Sequence, residues 1–196
     1  MDEGATDSMP QRVFTPHTSV MVLLFLCLPL LLGGCLGNRA TGAMFDDQNI
    51  EVRVIAAITG PDGLGRENHV KVEVYERVVL LMGEAVSPAE KERAGRIAAG
   101  VDQVERVVNE IEVRERVGVG GKLSNSWLSA KVNTRLLTAN TLPGFDPHRV
   151  KVVSARGTVY LMGNLSREEG DQVAEVVRNV RGVDKVVKVF NYSREE

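Results

Sequence analysis

Three side chains in the second half of the sequence stand at a spacing that could do chemistry: Trp127, Lys131 and Arg135. Steps of four place all three along one face of a helix. An indole beside two cations is what an interfacial lipid site needs, with the ring at headgroup depth and the cations against phosphates. Leu128 adjoins the ring in sequence. Leu142-Pro-Gly-Phe145 follows in the next loop, where Leu142 and Phe145 could reach acyl chains. The competing reading is structural: Trp127 packs on a neighbouring element, Lys131 and Arg135 are solvated, and Leu142 and Phe145 close the core.

Catalysis finds less support. His69 and His148 stand at matching places, each just before a β-run, which points to local structure. No Cys/His cluster has zinc-ligand spacing, and no spacing pairs a nucleophile with its base. Gly120-Gly-Lys-Leu-Ser124 is not a phosphate loop: Leu123 follows Lys122 where Ser or Thr is needed, and Arg116 stands in place of the first glycine. An enzyme is not expected, and no cofactor or metal is called for.

The other reactive residue is Cys35. It ends a 13-residue apolar run, Val20 to Leu32, closed by Gly33-Gly34. That run is short for a bilayer span and suits the apolar region of a signal peptide. Upstream, Asp2, Glu3 and Asp7 oppose a single Arg12, an unusual start for such a signal, so Met9 is an alternative first residue. Leu32-Gly-Gly-Cys35 resembles the lipobox of bacterial lipoproteins. The resemblance implies cleavage before Cys35 and acylation of its thiol, and Leu36 at the next position implies sorting to the periplasmic face of the outer membrane. Cys27 would leave with residues 1–34, and the single remaining cysteine cannot form an internal disulfide. Each buried acyl methylene contributes about 0.8 kcal/mol, so two or more chains anchor firmly.

The elements that must position these residues are written twice. Residues 70–83 and 150–163 share seven of fourteen positions: Val70, Lys71, Val72, Val79, Leu81, Met82 and Gly83 recur 80 residues on. The match extends upstream, Ile50, Val54 and Ile58 against Leu128, Val132 and Leu136. Downstream, Ala94, Ile97 and Val101 match Val173, Val176 and Val180. Spacing by four predicts a helix with one buried stripe, and alternation at Val70, Val72 and Val74, then at Val78, Leu80 and Met82, predicts a strand pair. Glu76-Arg77 and Arg156-Gly157 make the turns; Gly157 adopts a positive φ at little cost and Arg77 does not. Ser87-Pro-Ala-Glu90 and Ser166-Arg-Glu-Glu169 read as capping boxes opening a second helix. Asp46-Asp47 reads as the N-cap region of the first helix. Each half is therefore α-β-β-α-β, and the fold class is α+β: two tandem modules, each with two helices on one face of a three-stranded mixed sheet.

This order, with Gly157, Val159-Tyr-Leu-Met-Gly163 and Gly182-Val-Asp-Lys-Val186, resembles the BON domain. Module 1 departs from the pattern twice, with Arg77 at the turn glycine and Gln103 in place of Gly182. The boundaries expected are a signal peptide at 1–34, acylated Cys35 and tether at 35–46, module 1 at 47–114, a Gly-rich linker at 115–124 and module 2 at 125–196. A lipobox before two such modules resembles the dual BON-domain outer-membrane lipoproteins. That likeness implies binding of anionic phospholipid and support of outer-membrane integrity. The alternative is an adaptor for envelope assembly machinery, docking an envelope protein through module 1.

Charge separates the halves. The whole chain carries −2, no footprint of a nucleic-acid binder. Residues 47–121 hold 10 basic and 14 acidic side chains, net −4. Residues 122–196 hold 12 and 8, net +4. An anionic surface should draw module 2 and repel module 1. Module 1 has Asn49, Arg53 and Ala57 where module 2 has Trp127, Lys131 and Arg135. A flexible tether over residues 36–46 would reach roughly 18 Å and raise the effective concentration of these weak contacts.

Overall fold

The computed structural model describes residues 41–114, 126–139 and 145–192. Cys35, the apolar run before it, Leu142 and the linker lie outside the described residues. Module 1 runs α1 (Thr41–Thr59), β1 (His69–Tyr75), β2 (Val78–Ala85), α2 (Pro88–Ala99) and β3 (Arg106–Val113). Module 2 runs α3 (Ser126–Thr138), a 3-10 turn (Pro147–Arg149), β4 (Val150–Ala155), β5 (Thr158–Leu165), α4 (Arg167–Arg178) and β6 (Lys185–Tyr192). In each sheet the second strand is central, antiparallel to the first and parallel to the third, with Val72 opposite Leu81 and Val152 opposite Leu161. The parallel pair follows from the α2 or α4 crossover, which a hairpin could not supply.

The helix stripes land where their spacing predicts. Ile50, Val54 and Ile58 of α1 are buried with Val79 and Leu81, and Leu128, Val132 and Leu136 of α3 with Val159 and Leu161. A third apolar cluster joins the modules: Tyr75, Val78, Leu80 and Met82 pack with Val153, Tyr160, Met162 and Val189. The two sheets thus meet face to face, with helices forming both outer layers. Both faces of β2 and β5 are buried, which is why these strands read as nearly continuous apolar runs, not a simple alternation.

Polar contacts fix the register between sheets. Tyr75 Oη donates to Arg149 O at 2.9 Å, and Lys151 Nζ donates to Val74 O at 3.0 Å while pairing with Glu73 at 2.8 Å. Glu84, 2% exposed, takes Arg156 from the other module at 2.6 Å and Arg114 at 3.1 Å. Arg106 donates to Phe190 O and Asn191 Oδ1.

Three local expectations are corrected. Helix α1 begins at Thr41, so residues 41–46 are helical turns and not tether. Asp47 is not an N-cap. It lies within α1, buried, and its carboxylate accepts the backbone N–H of Glu76 at 2.8 Å and of Arg77 at 3.0 Å. This clasp holds the β1–β2 turn with φ of 46° and 62°, the conformation that Arg156 and Gly157 adopt in module 2 at 51° and 77°. Two charge-assisted hydrogen bonds offset the left-handed strain that Arg77 would otherwise carry. Finally, the capping box closes only at α4, where Ser166 and Glu169 bond reciprocally at 3.1 and 2.7 Å. At α2, Ser87 Oγ accepts from Glu90 N, but the Glu90 carboxylate turns to Asn68 and Arg93.

Candidate lipid-facing site

Helix α3 carries two adjacent stripes with opposite fates. Leu128, Val132 and Leu136 go to the core, and the Ser129 and Ser154 hydroxyls, 2.8 Å apart, pin the helix to β4. Leu128, expected both in the core stripe and as a lipid contact, is fully buried, so only the core reading stands: it holds the helix on its sheet. Phe145 is half-buried and packs against the same core, so it closes module 2 and is corrected likewise.

Trp127 is 61% exposed. Its ring lies over the turn between α4 and β6: a Cβ added at Gly182 would stand 3.0 Å from Trp127 Cη2. Gly182 has φ +100°, so both its backbone and the overlying ring favour the absence of a side chain. Lys131 Nζ sits 5.9 Å from the indole centroid and donates to Arg181 O at 2.7 Å. That bond draws α3 to the turn at Arg181, whose own side chain is exposed. Arg135 and Arg181 are both exposed and have no ion pair among the described residues. The site is thus an exposed indole with one cation near its ring and two more exposed cations, one further along the same helix and one on the adjoining turn.

The spacing singled out Trp127, Lys131 and Arg135 but not Arg181, which lies 50 residues from Lys131 in the chain. The available signal was its place immediately before the positive-φ glycine, where a turn meets the first helix.

Module 1 builds the same corner differently. Arg53, the counterpart of Lys131, donates to Gln103 Oε1 at 3.0 Å and pairs with Asp102 at 3.6 Å. Gln103, at φ 68°, keeps the backbone conformation of Gly182 while carrying a side chain. The indole is absent, the positive charge is matched, and the corner is closed upon itself.

His69 and His148 do not form a site; the backbone N–H of His148 donates to Asp146 Oδ1, which caps the 3-10 turn. A cleft of about 540 Å³ runs beside β3 and is lined by Glu110, Glu112, Arg114, Tyr160 and Lys185. Burial, then the nearby Glu110 and Glu112, push the Tyr160 hydroxyl up to about 12, so it stays protonated there. Among the described residues no group of three or more His, Cys, Asp or Glu side chains is placed to hold a metal, and no helix is long and apolar enough to cross a membrane.

The twofold αββαβ arrangement is matched in sequence by the BON domain over residues 46–115 and again over 124–194. The chain belongs to the BON-domain family. It is 38% identical over 154 residues to the "21 kDa hemolysin" of Actinobacillus pleuropneumoniae, covering 79% of this chain and 78% of that one. It is 30% identical over 173 residues to "Outer membrane lipoprotein DolP" of Haemophilus influenzae, covering 85% and 88%. It is 28% identical over 148 residues to "Osmotically-inducible protein Y" of Escherichia coli, covering 74% and 72%. The matched ranges coincide with the two BON modules seen in the fold, each with its own core and sharing a third between the sheets.

Proposed function

We propose that this protein is an envelope lipoprotein of the outer membrane, held by acylated Cys35, whose second BON module binds anionic phospholipid and so supports membrane integrity. The observation that carries the reading is the exposed Trp127 with Lys131 Nζ 5.9 Å from its ring centroid, on a helix and adjoining turn that also expose Arg135 and Arg181. Interfacial Trp partitions to headgroup depth, and each cation near an anionic surface contributes about 1 kcal/mol. Three cations and one indole bind weakly from solution. Tethering raises their effective concentration at the bilayer, so weak contacts are enough. The lipobox resemblance at Cys35 and the similarity to a relative named as an outer membrane lipoprotein support the location. The role is binding, without a catalytic step.

The test uses residues 36–196 and two vesicle compositions. Vesicles of phosphatidylglycerol should bind the protein and blue-shift its single tryptophan; phosphatidylcholine should bind far less. Trp127→Ala with Lys131→Glu should abolish the difference. Equal binding to both vesicles, or no effect of the double change, would sink the reading.

A further inference from the structure

Helix α1 is apolar on two sides. One side is buried in the module 1 core. On the other, Met44, Phe45, Val52 and Ile55 are 41, 62, 66 and 41% exposed. At 100° per residue the four fall within an arc of about 100°, with Gln48 and Thr59 between them and no charged side chain inside the arc. Asp46, Glu51 and Arg53 all lie outside it. Among the described residues there are eight large exposed apolar side chains, and half of them share this one face. That is a patch, not scatter. The fold does not require it: the counterparts of Val52 and Ile55 in α3 are Ala130 and Asn133.

The chain itself names the surface within reach. Cys35 lies six residues before Thr41, and at 3.3–3.6 Å per residue that is about 20 Å at most. Helix α1 is about 28 Å long. An acylated Cys35 therefore keeps the amino end of α1 close to the bilayer, while the charge-free arc offers nothing to a partner recognised by charge.

We propose that the outward face of α1 seats in the headgroup–acyl boundary of the bilayer that carries Cys35, as an interfacial helix of module 1. The proposal rests on acylation of Cys35 but not on the module 2 site, and it differs from that site in chemistry. Contact through α1 is apolar and indifferent to headgroup charge; contact through α3 needs anionic lipid. Because the helices of the two modules form opposite outer layers, one flat bilayer takes one layer at a time. Helix α1 is the face that rests on neutral lipid, and α3 is the one recruited by negative charge.

The experiment places the full acylated protein in phosphatidylcholine vesicles with an environment-sensitive fluorophore on Val52→Cys or, as control, on Asn133→Cys of α3. Both positions are exposed. Mass spectrometry first verifies acylation of Cys35, and circular dichroism verifies the fold. Spin-labelled lipid with its quencher near the headgroup should remove about half or more of the fluorescence at 52 and little at 133, as expected for a helix buried to that depth. The quenching should persist at one chain per vesicle. No quenching at 52 overturns the proposal, as does shielding from iodide that arises only at high chain density, which would mark a second copy as the occupant. Trp127 reads out the module 2 site separately. Its failure to respond when phosphatidylglycerol is added would overturn that reading and leave the α1 result standing.

Discussion

The corner where the first helix of each module meets its last turn is built on one backbone plan and finished with opposite chemistry. In module 1, Arg53 is spent on Asp102 and Gln103. In module 2, Lys131 bonds a carbonyl, Arg181 replaces the acid, and Gly182 leaves room for the indole. Four differences, Asn49 against Trp127, Arg53 against Lys131, Asp102 against Arg181 and Gln103 against Gly182, convert a self-satisfied corner into a charged, aromatic one. The difference between the modules is therefore a property of that corner and not of the fold, since both modules have the fold.

The most severe way to break the comparison is to ask whether the modules are separable at all. Leu81→Ala and Leu161→Ala remove equivalent, fully buried side chains from the two helix–sheet cores. Each should cost about 2–5 kcal/mol. Because the sheets share a third core, both variants should shift the same single transition in urea. If Leu161→Ala splits the transition and leaves a module 1 component unmoved, the sheets do not stabilise one another. A second cut is made at the interface ion pair. Arg156→Ala leaves Glu84, 2% exposed, with Arg114 alone. Breaking a fully buried pair costs about 3–5 kcal/mol. Arg156 is partly exposed and one partner remains, so about 2 kcal/mol is expected in the same urea experiment. A change below about 0.5 kcal/mol would mean that the pair behaves as a surface bridge.

Exchanging the two turns sharpens the comparison directly. Gly182→Gln imposes a side chain at φ +100° and pushes it into Trp127, so it should cost about 1–2 kcal/mol. It should also shift the tryptophan emission, because the ring must leave the turn. The reverse change, Gln103→Gly, relieves strain of similar size but gives up the Arg53 hydrogen bond at an exposed site. Its net effect on stability should be within about 0.5 kcal/mol. An unchanged emission spectrum in Gly182→Gln would show that ring and turn are not in contact.

Much of this was legible in the residues. The doubled pattern announced two modules, and the i, i+4 stripes placed both helix cores, because a helix that must bury one face writes that face at a period near 3.6. The strand pairs and turns followed from alternation and from Gly157. What escaped was whatever depends on a partner distant in sequence. Asp47 looked like a cap since carboxylates favour helix starts, yet it serves a turn about 30 residues away. Leu128 stood in both readings, as a member of the buried stripe and as a neighbour of Trp127, but neighbours on a helix point about 100° apart and only Trp127 faces out. Arg181 had only its place before Gly182 to mark it. The sheet-to-sheet core was readable in principle: Val78 to Met82 is apolar without a break, and a strand wet on one face would not be.

The smallest expected effect concerns the charges that cross the interface. Glu73 lies between Lys151 and Lys71, at 2.8 and 2.7 Å. Burial alone would raise its pKa, but hydrogen bonds and charge from the two lysines outweigh burial and hold the carboxyl below its ordinary 4.5. The folded protein thus keeps Glu73 ionised at a pH where the unfolded chain has begun to take up its proton. The stability this contributes is complete above about pH 4.5, fades as the pH falls, and is gone below the folded value. Glu51, on α1 near the same cluster, behaves in the opposite sense. Burial raises its pKa, Lys151 only partly compensates, and Glu73 adds to the rise. Its ionisation opposes folding as the pH climbs through the ordinary value toward neutrality. Urea melts between about pH 3 and pH 7 separate the two. Glu73→Gln should lower stability at pH 7 and flatten the acid limb. Glu51→Gln should raise stability at pH 7 and leave the acid limb as steep as before. Module 2 has Ser129 and Val153 at the equivalent positions, so neither pH effect has a counterpart there. If both variants moved stability in the same direction at pH 7, the lysines would be answering to net charge and not to the geometry between the sheets.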